Sequence, residues 1–382
     1  MIRLAVKTAA ALGLHATGAD RLIGALGGRG RPPLVLCYHR VVEDVGRHPW
    51  SAPAMLVSRR TLERQLDWIG RRVEFVGLDE LARGLEEDGG SFDRPIAAVT
   101  FDDGYADVYH HALPLLSAKG IPAAFFVVTD LLGTERLHAH DELYALLCGA
   151  AERLGDAGLA GLLTRVGLGA LWLRHPHEGP VSTRFAVLTE RLLRSLPRHR
   201  VRRLLRRLRR VAAVPEKVRD ELRPMSWEMV ADLRAAGMTI GSHTRSHRVL
   251  PNEPAGEVLL ELVGSKQALE ERLGAAVDHL SYPDGQFGPG AVAAAQGAGY
   301  RYAYTTCGHR SAERPLLTIP RRTFWERTTA GLGGDFSPAV TACQVEGVFQ
   351  RLRPCRCDHG PRRRRLPEPP AIGPFRFSGG TT

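Results

Sequence analysis

The chain has 382 residues, 44% apolar and 24% charged, a globular balance that excludes wholesale disorder. It is long enough for one large domain or two medium ones, and no run reaches the roughly eighteen uncharged apolar residues of a membrane-spanning helix. The formal net charge of +11 would suit nucleic acid, but ten arginines and no acid fall within residues 191–210, so one segment carries nearly the whole excess.

Residues 1–30 form a helical lead ending in the Gly/Arg turn GGRGRPP. Lys7 interrupts its apolar stretch, so a helix packed on the body or lying at a membrane surface is expected rather than a cleaved export leader. From residue 34 short apolar runs alternate with helical stretches: LVLCYH, RRTLERQLDWI, VEFVGL, PIAAVTF, a helix after Tyr105, then IPAAFFVV. That rhythm predicts an α/β fold with a largely parallel sheet over 31–135.

Residues 136–224 break the rhythm and read as a helical, Arg-rich insertion. Inside it Val201, Leu204, Leu205, Leu208 and Val211 recur at helical spacing and leave arginines on the other face. The plain reading is a solvated helix face. The functional one is a surface for an anionic membrane or an acidic glycan. Nucleic acid is disfavoured, because no aromatic residues interleave to stack bases.

The strand–helix rhythm returns over 225–330, opened by a helix that Ser226 would cap. Beyond about 335 the chain is rich in Pro, Gly and Arg, and residues 335–382 are expected to be a disordered tail. The six scattered cysteines read as reduced thiols of a cytoplasmic protein, with membrane association as the alternative and export less favoured. Cys355 and Cys357 beside His359 read as chance neighbours in the tail rather than a metal site.

Four segments carry candidate chemistry. Asp102 and Asp103 end an apolar run and precede Gly104, where a parallel α/β fold presents ligands. A turn there could aim both acids into one pocket, one binding metal and the other remaining a base; alone, the pair would more simply complement a helix dipole. His243 and His247 stand four apart after another apolar run, a spacing that puts both imidazoles on one face of a helical turn. Leu280 to Gly285 is a strand running into a Pro/Gly turn that could offer a backbone N–H. His39, at the end of the first run, is a candidate acid.

Together these segments resemble the polysaccharide deacetylase family with its NodB homology domain (carbohydrate esterase family four). Thr100 to Tyr105 looks like the family's first motif, which implies Asp102 as base and Asp103 as metal ligand. His243 to His247 looks like its His-Ser/Thr-x-x-His metal motif, and Tyr282, Pro283, Asp284 and Gly285 like the third, groove-lining motif. The match covers about 34–135 and 225–327.

Two departures stand out. Many members carry an arginine where this chain has Ser281, and the family's C-terminal Leu-x-His acid has no counterpart after Ile319–Pro320. Tyr38–His39 is similar to the segment that supplies the acid in exopolysaccharide-deacetylating branches.

The resemblance implies an irregular (β/α)7 barrel carrying a helical insertion, with catalytic Asp102 and His39. It implies a divalent metal on Asp103, His243 and His247, zinc first, with Co2+, Mn2+ or Ni2+ as alternatives. Tyr105, Tyr282, Pro283 and Asp284 would meet the substrate or oxyanion, the last through its N–H. The reaction implied removes N-acetyl, alternatively O-acetyl, groups from a polysaccharide, oligosaccharide or glycolipid. The other readings are a small-amide C–N hydrolase on the same scaffold and an inactive carbohydrate-binding homologue.

Overall fold

The structure, a computed structural model, describes residues 2–25, 33–87, 92–173 and 180–351. Six parallel strands run in chain order around a barrel: Leu34–Tyr38, Ile96–Phe101, Ala123–Val127, Thr239–Ser242, His279–Ser281 and Tyr302–Thr305. The seventh position is a bent segment. Ile319–Pro320 pairs with the sixth strand and Arg322–Thr323 pairs with the first. Only Arg321 lies between those halves, and its N–H donates to Thr305 O at 2.7 Å. The chain itself thereby closes the ring, so this is the irregular seven-stranded barrel expected.

Side chains alternate along each strand, and that parity decides which residues enter the barrel. Leu34, Leu36 and Tyr38 join the core between sheet and helices, with Ala97, Val99, Phe101 and Phe125 from the neighbouring strands. Val35, Ala98, Ala124, Phe126, Tyr304 and Ile319 form the separate interior cluster. Two residues on from Val35, Ala98 and Ile319 stand Cys37, Thr100 and Arg321, followed by His39, Asp102 and Thr323. The interior is therefore apolar low in the barrel and polar at the C-terminal mouth.

The helical insertion runs through Ala139–Arg165, Gly169–Leu173, Val181–Ser195, Arg198–Leu208 and Glu216–Glu221. Its apolar face, including Leu147, Leu163, Leu188 and Leu204, merges with the core outside the barrel. Its return is pinned at the mouth. Met225 N–H donates to Gly104 O at 2.8 Å and Ala106 N–H to Arg223 O at 2.9 Å.

The lead forms helices Ile2–Ala16 and Ala19–Ala25. Ala11 packs with Ala339, Val340 and Cys343, while Lys7 Nζ donates to Thr328 O at 3.0 Å. Here the expected tail is corrected. Pro338–Val345 is a helix capped by Ser337 Oγ and begun by a proline, and Val348–Arg351 is another short turn of helix. The apolar partners supplied by the lead outweigh a disorder-prone composition. The remainder, 352–382 with Cys355, Cys357 and His359, lies outside the described residues. Among the described residues no helix is long and apolar enough to cross a membrane.

Candidate active site and metal centre

The second strand ends at Phe101, and Asp102 N–H still continues the ladder by donating to Tyr38 O at 2.9 Å. The chain then turns through two left-handed residues, Asp103 (φ 74°) and Gly104 (φ 72°). This reversal brings adjacent acids into one pocket, which an extended strand could not do. Gly104 is required there: a Cβ would sit 3.1 Å from Val127 Cγ1.

Asp102 is gripped from below. Arg321 donates from Nη1 to Oδ1 at 2.7 Å and from Nη2 to Oδ2 at 2.5 Å. Ser281 Oγ accepts from the same Nη2 at 2.7 Å and donates to Asp102 Oδ2 at 3.2 Å. All three groups are buried. Burial pushes the Asp102 carboxyl up, but the Arg321 guanidinium and then His243 outweigh it and hold it at about 2. Asp102 is an oriented anion at neutral pH.

Asp103 faces the histidines instead. His247 Nε2 lies 3.1 Å from its Oδ1, and His243 Nε2 lies 3.4 Å from the same oxygen. The ligating atoms of the three residues fall within 4.8 Å of one another. His243 Nδ1 meets the Ser281 carbonyl at 2.8 Å. A carbonyl only accepts, so Nδ1 carries the hydrogen and Nε2 presents a lone pair toward Asp103. Both Asp103 oxygens are buried without a hydrogen-bond partner. An anion buried without a donor, with an imidazole lone pair aimed at it, is costly until a cation sits between them. The donor set of two imidazoles and one carboxylate fits a divalent transition ion with an open position.

The two histidines converge for a different reason than their spacing suggested. Residues 243–247 are a turn, not a helix, with Thr244 at φ 65° and His247 at φ 53°. Side chains hold it: Ser242 Oγ accepts from Thr244 N–H, Thr244 Oγ1 accepts from His247 N–H, and Glu261 accepts from Ser246 N–H and Oγ–H. Barrel parity delivers His243 inward, and the left-handed turn folds His247 back beside it, with ring centroids 4.7 Å apart.

His39 reaches the same pocket from the first strand. Its donor atom lies within 4.8 Å of those of Cys37 and Asp102, and its Nδ1 is buried without a partner. Burial holds the imidazole below its ordinary value, with Asp103 and Asp102 pulling less strongly upward.

The substrate-facing assignments need correction. Tyr282 follows the inward Ser281, so parity turns it outward into the core, where its hydroxyl donates to Leu317 O at 3.1 Å. Pro283 is buried beside it. Tyr105 is fully buried and donates to Asp141 Oδ2 at 2.6 Å, with His140 Nε2 at 2.7 Å from the same hydroxyl. None of these three lines the cavity over the acids; Asp284 and Gly285 do. Asp284 has φ 59°, and its carboxylate accepts from Arg194 Nε at 2.6 Å.

That cavity measures about 1120 Å³. Its floor holds His39, Asp102, Asp103, His243 and His247, and its wall includes insertion arginines, among them Arg202 and Arg206. The insertion thus stands over the paired acids and histidines, and part of the basic helix face is cavity wall.

Two groups escaped sequence reasoning. Arg321 takes the place of the arginine missing at Ser281, and no local pattern in the sequence marked it, because only closure of the ring turns it inward. His140 is the second, lining the cavity with Nε2 3.9 Å from Asp103 Oδ2; the His138–Ala139–His140–Asp141 run was its only trace.

Solved structures similar to this chain include two deacetylase-like proteins. The deacetylase PplD of Streptococcus pyogenes, in complex with acetate, has 17% identity over 84% of this chain and 98% of its own, with a TM-score of 0.50. IcaB from Ammonifex degensii has 18% identity over 82% and 97%, with a TM-score of 0.49. At 17% identity the likeness to PplD is one of fold. No curated protein sequence matches the chain. The sequence pattern of the polysaccharide deacetylase family matches residues 89–158 and 185–303. That family pattern marks the chain as a hydrolase acting on carbon–nitrogen bonds. The chain belongs to the polysaccharide deacetylase family.

Proposed function

We propose that the protein hydrolyses N-acetyl groups on a polysaccharide, oligosaccharide or glycolipid, using one divalent cation, zinc by preference, on Asp103, His243 and His247. The observation that carries this reading is Asp103 itself, buried without a hydrogen-bond donor and faced at 3.1 and 3.4 Å by two imidazole nitrogens. A cation bound there would polarise the acetyl carbonyl and acidify the attacking water.

The chain's own residues supply the rest. Asp102, kept anionic and aimed by Arg321 and Ser281, takes the proton of the water whose oxygen joins the acetyl carbon. The Asp284 N–H, on the cavity rim, offers a hydrogen bond to the oxygen that gains charge. His39, protonated for this step, gives that proton to the nitrogen as the C–N bond breaks and returns to neutral imidazole, leaving acetate and a free amine. An open, arginine-walled cavity of about 1120 Å³ favours a glycan over a small amide.

The test is acetate release from a panel of N-acetylated oligosaccharides by zinc-loaded protein. Release that a chelator abolishes and zinc restores supports the reading. No acetate from any member, with zinc demonstrably bound, would overturn it.

A further inference from the structure

The arginines of Arg198–Leu208 are not equivalent. Val201, Leu204, Leu205 and Leu208 fix one face of the helix in the core. Arg198, Arg202, Arg206 and Arg209 then follow one another along the cavity side; Arg203 and Arg207, exposed like Arg202 and Arg206, do not line it. At a rise of about 1.5 Å per residue, guanidinium stems four apart stand about 6 Å from each other along the axis.

Acids pair with half of the arginines of this wall. Arg209 grips Glu142 with two hydrogen bonds at 2.6 and 2.7 Å, Arg194 pairs with Asp284 and Glu190, and Arg248 with Glu257 and Glu261. Arg198 has Glu261 at 3.9 Å. Arg202 and Arg206 have no acid partner among the described residues. Arg136 and Arg219 bond only to backbone carbonyls and add positive charge, which Glu135 partly offsets. Like charges at i and i+4 weaken a helix, yet residues 191–210 contain no acid to relieve them. Burial, then Arg248 and Arg202, holds even the Arg198 guanidinium below its ordinary value.

We propose that Arg202 and Arg206, with Arg198 beside them, form a subsite for an acidic group of the substrate. The glycan then carries carboxylate or phosphate near its acetylated sugar. This rests on the deacetylase reading of the same cavity. A carboxylate or a phosphodiester would meet two guanidinium forks here, the geometry that arginine binds best. A lipid surface fits less well. The row lines a concave wall shared with the acids and histidines, and none of the exposed large apolar side chains lies on this helix.

Direct binding separates this inference from the reaction. Calorimetry on chelator-treated full-length protein would compare three oligosaccharides: a hexamer alternating N-acetylglucosamine with glucuronate, an oligomer of N-acetylglucosamine joined by phosphodiesters, and the neutral N-acetylglucosamine hexamer. Vesicles of phosphatidylglycerol and phosphatidylcholine make a fourth arm. The expectation is that at least one acidic oligomer binds about tenfold or more tightly than the neutral one, as charge-assisted hydrogen bonds allow. High salt should erase the difference. Arg202→Gln with Arg206→Gln should abolish the preference, and Arg203→Gln with Arg207→Gln should keep it.

Equal binding of acidic and neutral oligomers, a preference that survives Arg202→Gln with Arg206→Gln, or binding to vesicles alone would overturn the subsite. A charge preference without acetate release from any oligomer would leave the subsite standing and defeat only the deacetylase reading.

Discussion

The barrel mouth and the helical insertion build the two sides of one cavity by opposite means. At the mouth the candidate reacting side chains are short and buried or half-buried, and three of them are held by second groups: Asp102 by Arg321 and Ser281, His243 by a carbonyl, His247 by a turn that Ser242, Thr244 and Glu261 brace. The insertion offers Arg202 and Arg206, long side chains on an exposed helix flank, positioned by its apolar face and clamped by no acid among the described residues. Bond-breaking chemistry needs fixed distances, and recognition of a repeating polymer tolerates reach. On the proposed function, reaction belongs to the barrel and substrate choice to the insertion.

The sharpest way to break that division is at the ligands. Asp103→Ala or His247→Ala should reduce acetate release by about a thousandfold or more, since a lost cation removes polarised carbonyl and acidified water together. Stability should change far less than activity, because the same substitution also removes a buried charge conflict; steady-state kinetics and denaturant unfolding measured side by side decide this. Activity within tenfold of wild type would contradict it.

Arg321→Ala attacks the clamp instead. It leaves Asp102 buried without its counter-charge, so unfolding should move by about 3–5 kcal/mol, read from urea denaturation. Arg321→Lys should recover part of this, as one ammonium cannot replace a two-pronged grip. A loss below about 1 kcal/mol, the worth of a mere surface pair, would show that the clamp is not what holds Asp102.

How much of this was legible beforehand follows from the physics of each element. Apolar runs ending in Asp102–Asp103 and in His243 could be read directly, because strand ends in parallel α/β folds face the ligand. Arg321 could not: it sits 219 positions from Asp102 in a run that reads as a basic surface pair with Arg322. Only closure of the ring, which no local pattern encodes, turns it inward. Tyr282 was misread for the same reason, as its neighbour Ser281 takes the inward place. The His243–His247 spacing led to the right pair through the wrong geometry, a left-handed turn in place of a helix. The arginine periodicity gave a helix face correctly and was silent about the cavity it borders.

Smaller effects sharpen the roles. His39→Ala should lower kcat by about a hundred- to thousandfold, the range for one lost donor or acid, with metal content intact by elemental analysis. Unchanged kcat would remove His39 from the reaction. Arg202→Gln with Arg206→Gln should raise KM for an acidic glycan about tenfold while leaving kcat near wild type; a fall in kcat with KM unchanged would place those arginines in the reaction rather than in recognition.

The proposed function requires one cation held by Asp103, His243 and His247. Elemental analysis of zinc-loaded, dialysed protein measures this most directly. One zinc per chain in the wild type and in Asp102→Asn, with none retained by His243→Ala, is the predicted result. Zinc bound equally by wild type and His243→Ala, or by neither, would contradict it.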